Sequence, residues 1–295
     1  MKWQRGRKSA LLIDRTGAGG GSSARPPFRM PGGRRGAGGM SVGGVIVLLL
    51  LYGAVQLLGG GGGGVSTSTP GGGVGTGGLE RTDPEMKEFL AFLIEDTNEV
   101  WAKQLAGMRG VSFRPAPMVI FEGRTSTGCG VVSAGQGPLY CPADEAMYVP
   151  PSFYRELRER LGAPGDFAQA IVIAHEMGHH VQWRTGITRD AHARGLKSSS
   201  AKRDQSIRQE LQADCFAGMW AQSTSQRDLL ETGDVEEALR AASAIGDDAL
   251  QKGAGRSVDE RQFTHGSSAQ RVRWFQKGMT ANRFEDCDTF AAGSL

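Results

Sequence analysis

His175-Glu176-Met177-Gly178-His179 is the stretch that decides how this chain is read. The spelling H-E-x-x-H acquires a mechanical meaning on a helix, where residues four apart project from one face. Two imidazoles so placed can grip one Zn²⁺, and the glutamate between them can act as general base for an attacking water. Five letters recur by chance, so the flanks and a third ligand must carry the reading. On a helical wheel with Phe167 at zero, Ala170, Ile171, Ala174, Gly178 and Val181 fall within about 60° of it. His175 lies at about 80°, His179 at about 120° and Glu176 at about 180°. The spacing therefore predicts a helix capped by Asp166, with an apolar back and a chemical flank. His180, about another 100° round from His179, is badly placed to join the pair. A core histidine pair without metal is the bland alternative, but buried imidazoles need partners and are not readily charged.

Catalytic zinc sites use three protein ligands plus water, and two histidines with one glutamate form such a set. The next helix is expected from Ser206, and it carries Glu210 and Asp214 at i and i+4 on one face. Paired acids usually mark a solvated stripe, yet these sit among Leu211, Ala213, Phe216, Ala217 and Trp220. Glu210 is the best-placed third ligand. Asp214, one turn on, suits a carboxylate that accepts the second ring N–H of a ligating histidine and so sets its tautomer.

The pairing of H-E-x-x-H with E-x-x-A-D on a second helix is the gluzincin pattern of zinc metallopeptidases. The wording AHEMGHHVQ, ELQADCFAG and FTHGSSAQR, with the opening Met1-Lys-Trp-Gln-Arg-Gly-Arg-Lys8, resembles the bacterial putative neutral zinc metallopeptidase family over nearly the whole chain. That resemblance implies that His175, His179 and Glu210 bind zinc and that Glu176 is catalytic. The segment from Thr185 to Gln205 matches less well; it is polar and reads as a surface excursion between helices.

Composition organises the rest. The 295 residues carry a net +3, but Met1 to Met40 holds nine Lys/Arg and one Asp, a net +8 that leaves about −5 elsewhere. Arg, Gly, Ser and Pro without hydrophobic periodicity make residues 1–40 read as a disordered basic tail. Residues 41–58 are uncharged and mostly apolar, near the minimum length for one transmembrane helix. No Lys or Arg follows until Arg81, so the positive-inside rule puts the tail in the cytoplasm and the later domain outside, at a cell membrane. A cleaved signal peptide is the rival, disfavoured by the long leader and the lack of an A-x-A site. Residues 59–78 read as a Gly-rich linker and 79–295 as the folded domain. The expected partners are a peptide or protein substrate and the bilayer; position favours a topological over a nucleic-acid role for the basic end.

Cys129, Cys141, Cys215 and Cys287 agree with an oxidising compartment. Cys129 and Cys141 bracket a short loop, leaving Cys215 and Cys287 as a possible long-range pair; three pairings are open, and four buried thiols are the alternative. Asp83-Pro84-Glu85 reads as a helix start, Met118–Phe121 and Ala146–Val149 as strands, and Asp234 to Glu237 as a capping box. Ser267 or Ser268 is expected to cap a helix holding Arg271, Trp274 and Phe275. Peptide hydrolysis needs a donor for the oxyanion that develops on the carbonyl. His265, in a loop before that helix, is the candidate; a structural histidine is the alternative, and Arg271 could serve instead or pair with Asp214. The expected fold is α+β, helix-rich, with a small antiparallel sheet ahead of the active helix and one transmembrane helix before it. The expected function is a membrane-anchored zinc peptidase. The rival is a membrane-tethered scaffold with structural or vestigial zinc.

Overall fold

A computed structural model describes residues 1–17 and 83–295. In chain order the elements are β1 (Leu12–Asp14), α1 (Pro84–Gln104), β2 (Met118–Ile120), β3 (Arg124–Thr127), β4 (Gly130–Ser133), β5 (Leu139–Cys141) and β6 (Ala146–Val149). Then follow α2 (Ser152–Glu159), α3 (Asp166–Thr185), α4 (Ile187–Ala193), α5 (Ser199–Gln226), α6 (Asp234–Ala244), α7 (Asp247–Gly253) and α8 (Ser268–Met279). The helix-rich α+β class is as expected.

Helix α1 starts as its letters dictate. Asp83 Oδ1 accepts from the Glu85 N–H, and Pro84 occupies the first turn, where its missing donor costs nothing. Its middle is buried on nearly every side, and Trp101 packs edge-on against Phe216. Asn98 ties the helix to the sheet through both backbone groups of Ala116. The sheet order is β1-β2-β6-β5, with β1, β2 and β6 parallel and only β5 antiparallel; β3 and β4 form a separate hairpin. The expected small antiparallel sheet is thus a mixed one. The continuous apolar runs are the physical reason: Met118, Ile120, Met147 and Val149 enter the helical core, while Val119, Phe121, Cys141 and Tyr148 are buried on the other face.

The first seventeen residues correct the reading of a disordered tail. Leu12, Ile13 and Asp14 pair with Met118, Val119 and Ile120, and Trp3 packs on Phe89 of α1 at 5.3 Å. The Lys2 N–H donates to the Leu229 carbonyl, and Met1 is buried. Its ammonium sits 2.7 Å from Asp166, 3.2 Å from Glu231 and 3.3 Å from Asp234. Four apolar side chains scattered among lysines and arginines, Met1, Trp3, Leu11 and Leu12, pack on the core once an edge of the sheet accepts the strand; average composition hides that. Residues 1–17 and 83–295 thereby share one core. The expected span 41–58, the linker 59–78 and the rest of the tail lie outside the described residues. No described helix is long and apolar enough to cross a membrane.

Two expected caps are corrected. Gly165 and Gly233, not Asp166 and Asp234, occupy the N-cap positions of α3 and α6; both carboxylates lie against Met1, and that of Asp234 also accepts from the Glu231 N–H. The excursion from Thr185 to Gln205 is also largely helical: α4 fills its first half, and α5 starts at Ser199 under a Ser198 cap, seven residues before Ser206. Ser267 caps α8 through a capping box with Gln270, as expected.

Close backbone approaches position the functional helices. A Cβ on Gly178 of α3 would lie 3.0 Å from the Ala213 Cα and O of α5. The α5–α8 crossing is tighter, since a Cβ on Gly218 would meet the Phe275 carbonyl at 2.1 Å and one on Gly278 the Cys215 carbonyl at 1.9 Å. Glycine is required there by space, not by φ. Two disulfides complete the frame, Cys129–Cys141 and Cys215–Cys287.

Candidate metal centre

Helices α3 and α5 face each other across the Gly178–Ala213 contact, which brings His175 and His179 opposite Glu210. His175 Nε2 lies 3.2 Å and His179 Nε2 3.6 Å from Glu210 Oε2. Zinc bonds of 2.0–2.2 Å put tetrahedral ligand atoms about 3.3–3.6 Å apart, so this donor set fits that ion. The other ring nitrogens are engaged behind. His175 Nδ1 is 2.8 Å from Asp214 Oδ1, and His179 Nδ1 is 2.9 Å from Gln182 Oε1. With a cation between them and Glu210, each Nδ1–H would donate outward and each Nε2 lone pair would face the ion.

Charge favours a cation here. Burial alone favours the neutral His175 ring, but Asp214 and Glu210 outweigh it and raise the ring to about 10. His179 is raised by Glu210 against the same burial. Burial pushes the Glu210 carboxyl up, but the imidazoles of His179, His265 and His175 more than offset it, holding it well below the carboxylate range. Asp214 is not a loose partner: Arg271, only 3% exposed, grips it with Nε and Nη2 at 2.8 and 2.7 Å. This settles the place of Arg271, which belongs behind His175 rather than over it. A second acidic group, Asp166, Asp234 and Glu237, could also hold a cation in principle. Its cation is the Met1 ammonium.

Glu176 is buried on the same helix flank. The phenol of Tyr154, wholly buried and without a hydrogen-bond partner, is pushed up first by burial and then by the charge of Glu176. His265 lies near enough for its charge to act on Glu210. Its Nδ1 turns back to Thr264 Oγ1 at 2.9 Å and Asp247 Oδ1 at 3.2 Å. Asp247 Oδ2 also takes the N–H groups of Thr264, His265 and Gly266, so one buried carboxylate shapes the whole loop. Among the described residues, Nε2 of His265 has no protein partner and is the ring atom able to donate to a ligand.

His180 points elsewhere, as its wheel position implies. Its Nε2–H donates to the Arg114 carbonyl at 2.7 Å, and its Nδ1 accepts from the Tyr140 hydroxyl at 3.0 Å. Burial holds this ring at about 4, below the ordinary 6.5. The folded state therefore resists the proton that the unfolded chain takes up below pH 6.5. Stability is complete above that pH and falls as pH drops toward 4, by about 3 kcal/mol at most. His180→Asn should flatten this acid limb in urea titrations at pH 6.5 and 4.5; equal acid losses in both proteins would refute the assignment.

Sequence reasoning missed Gln182, Gln212, Tyr154 and Asp247. Only Gln182 left a signal, three residues beyond His179 and hence on its face.

The chain is 43% identical over 218 residues to uncharacterized protein YpfJ of Escherichia coli (strain K12), covering 73% of this chain and 75% of the relative. It is 36% identical over 230 residues to uncharacterized protein Rv2575 of Mycobacterium tuberculosis (strain ATCC 25618 / H37Rv), again covering 73% and 75%. Neither name states an activity, and no solved structure matches. A family model described as "Putative neutral zinc metallopeptidase" matches residues 1–290, β1 included, and the chain belongs to that family.

Proposed function

We propose that this protein is a zinc-dependent peptidase of the gluzincin type, in which His175, His179 and Glu210 hold one Zn²⁺ and Glu176 is the general base. One observation carries the reading: two Nε2 atoms converge on one Glu210 oxygen at 3.2 and 3.6 Å while both Nδ1 atoms are engaged behind. When bound, zinc supplies Lewis acidity, polarising a peptide carbonyl and easing deprotonation of water. Glu176 then accepts a proton from the attacking water as its oxygen bonds to the carbonyl carbon. The same carboxyl returns that proton to the amine as the C–N bond breaks. His265 Nε2, without a protein partner among the described residues, would donate to the oxyanion, with Asp247 fixing its ring. Three protein ligands leave a fourth position for chemistry, and a purely structural zinc has no use for Glu176. Both points count against the scaffold reading.

The test uses the full chain, because residues 1–17 belong to the fold. Zinc content and cleavage of a peptide library are measured with and without a chelator. One zinc per chain and chelator-sensitive cleavage are expected, with zinc falling toward zero in Glu210→Ala. Cleavage that survives chelation, or unchanged zinc in Glu210→Ala, overturns the assignment.

A further inference from the structure

His175 has a carboxylate behind it; His179 does not. Its Nδ1 meets the side-chain amide of Gln182, wholly buried, and that amide opens a chain of buried hydrogen bonds. Gln182 Nε2 donates to the Gln209 carbonyl at 2.8 Å and to Gln212 Oε1 at 3.0 Å. Gln212 Nε2 donates in turn to the Cys287 carbonyl at 3.0 Å.

The direction of this chain is not free. An amide side chain is symmetric in shape but not in chemistry, and a backbone carbonyl only accepts. The Cys287 carbonyl therefore fixes the Gln212 nitrogen toward the tail and its oxygen toward Gln182. The Gln209 and Gln212 oxygens fix the Gln182 nitrogen toward α5, so its oxygen faces His179. That oxygen can only accept, which puts the imidazole proton on Nδ1 and the lone pair on Nε2. The far end is anchored as firmly. Cys287 is joined to Cys215, next to Asp214, and the Thr289 hydroxyl donates to the Arg208 carbonyl on α5 at 2.6 Å.

We propose that Gln182 and Gln212 are positioning residues for the metal centre, a buried amide relay through which the disulfide-pinned C-terminal segment sets the tautomer and orientation of His179. An amide suits the place better than a second aspartate. Asp214 is neutralised by Arg271, whereas the partners of Gln182 are an imidazole, a carbonyl and another amide. A carboxylate at 182 would stand as an uncompensated buried charge.

This inference rests on the zinc reading, so the wild-type chain is measured first. Zinc Kd by competition titration and the visible spectrum of the cobalt-substituted protein are compared for wild type, Gln182→Met and Gln212→Met. Thermal unfolding under chelator is followed alongside. Removing such an outer partner typically costs about 10- to 100-fold in metal affinity, which is the expectation for Gln182→Met together with an altered cobalt spectrum. Gln212→Met keeps the contact to His179 and the Gln209 carbonyl but removes one of the two acceptors that hold the Gln182 amide, and a smaller rise in Kd of about 3- to 10-fold is expected. Kd values within twofold of wild type and unchanged cobalt spectra in both variants overturn the relay. If Gln182→Met does not fold, Gln212→Met decides alone by the same criterion. Wild-type protein that binds no zinc sinks the peptidase reading, and the relay with it. Zinc binding by wild type and both variants alike sinks only the relay.

Discussion

Glu176→Gln should retain one zinc per chain and lose about 10²- to 10⁴-fold in kcat for peptide hydrolysis, the usual contribution of a positioned general base. Glu176 is on the flank of α3 that carries both histidines, yet the three-donor group is His175, His179 and Glu210, without it. Glutamine keeps the shape and burial of the side chain, so neither the helix nor the metal donors have reason to move. What disappears is the acceptor for the proton of the attacking water, and with it the group that protonates the leaving amine. KM should change little, because the loss falls on the transition state. Zinc content, thermal stability and single-turnover cleavage distinguish the outcomes. Full activity in Glu176→Gln removes Glu176 from the mechanism, while loss of zinc makes it a ligand.

How much of this was legible in the letters depends on the range of the interaction. The α3 face, the Asp83 cap and the i, i+4 pair Glu210 and Asp214 are local, and periodicity exposed them. Glu210 and Asp214 were legible because acids among Leu211, Phe216 and Trp220 are costly unless something needs them. β1 was not legible: its partner Met118–Ile120 lies about a hundred residues away, and three strand residues carry no period of their own. Gly165 and Gly233 displaced the expected aspartate caps, and the Met1 ammonium that both acids meet is too distant in sequence for a local pattern to reveal. The start of α5 was missed because Ser199 to Gln205 is polar all round. The helix there is extended from its buried C-terminal half, and propensity has little say. Gly218 and Gly278 look like two unremarkable small residues until α5 and α8 cross over them.

Arg271→Met should destabilise the fold by about 3–5 kcal/mol, the cost of stripping one partner from a buried ion pair. In a domain of this size that amounts to a drop of roughly 10 °C in the unfolding midpoint. Arg271 gives Asp214 two charge-assisted hydrogen bonds and donates a third from Nη1 to the Ile245 carbonyl at 3.1 Å. Burial opposes the charge on Asp214, and Arg271 is the largest influence holding its carboxyl low, ahead of His175. Without the guanidinium, Asp214 is a buried anion stripped of its main partner, one helical turn from a second acid, Glu210. Its remaining counter-charge is then His175, a ring the zinc reading requires to stay neutral as a ligand. The variant should therefore bind zinc in competition with a proton on His175, and its affinity should fall more steeply than that of wild type as pH is lowered. Arg271→Lys restores charge without the planar fork and should recover only part of the loss. The double variant Asp214→Asn/Arg271→Met removes the orphaned charge while keeping an acceptor for His175 Nδ1–H. It should be more stable than Arg271→Met alone, although it carries one substitution more. A double variant whose losses simply add would show that Arg271 acts through packing and not through Asp214.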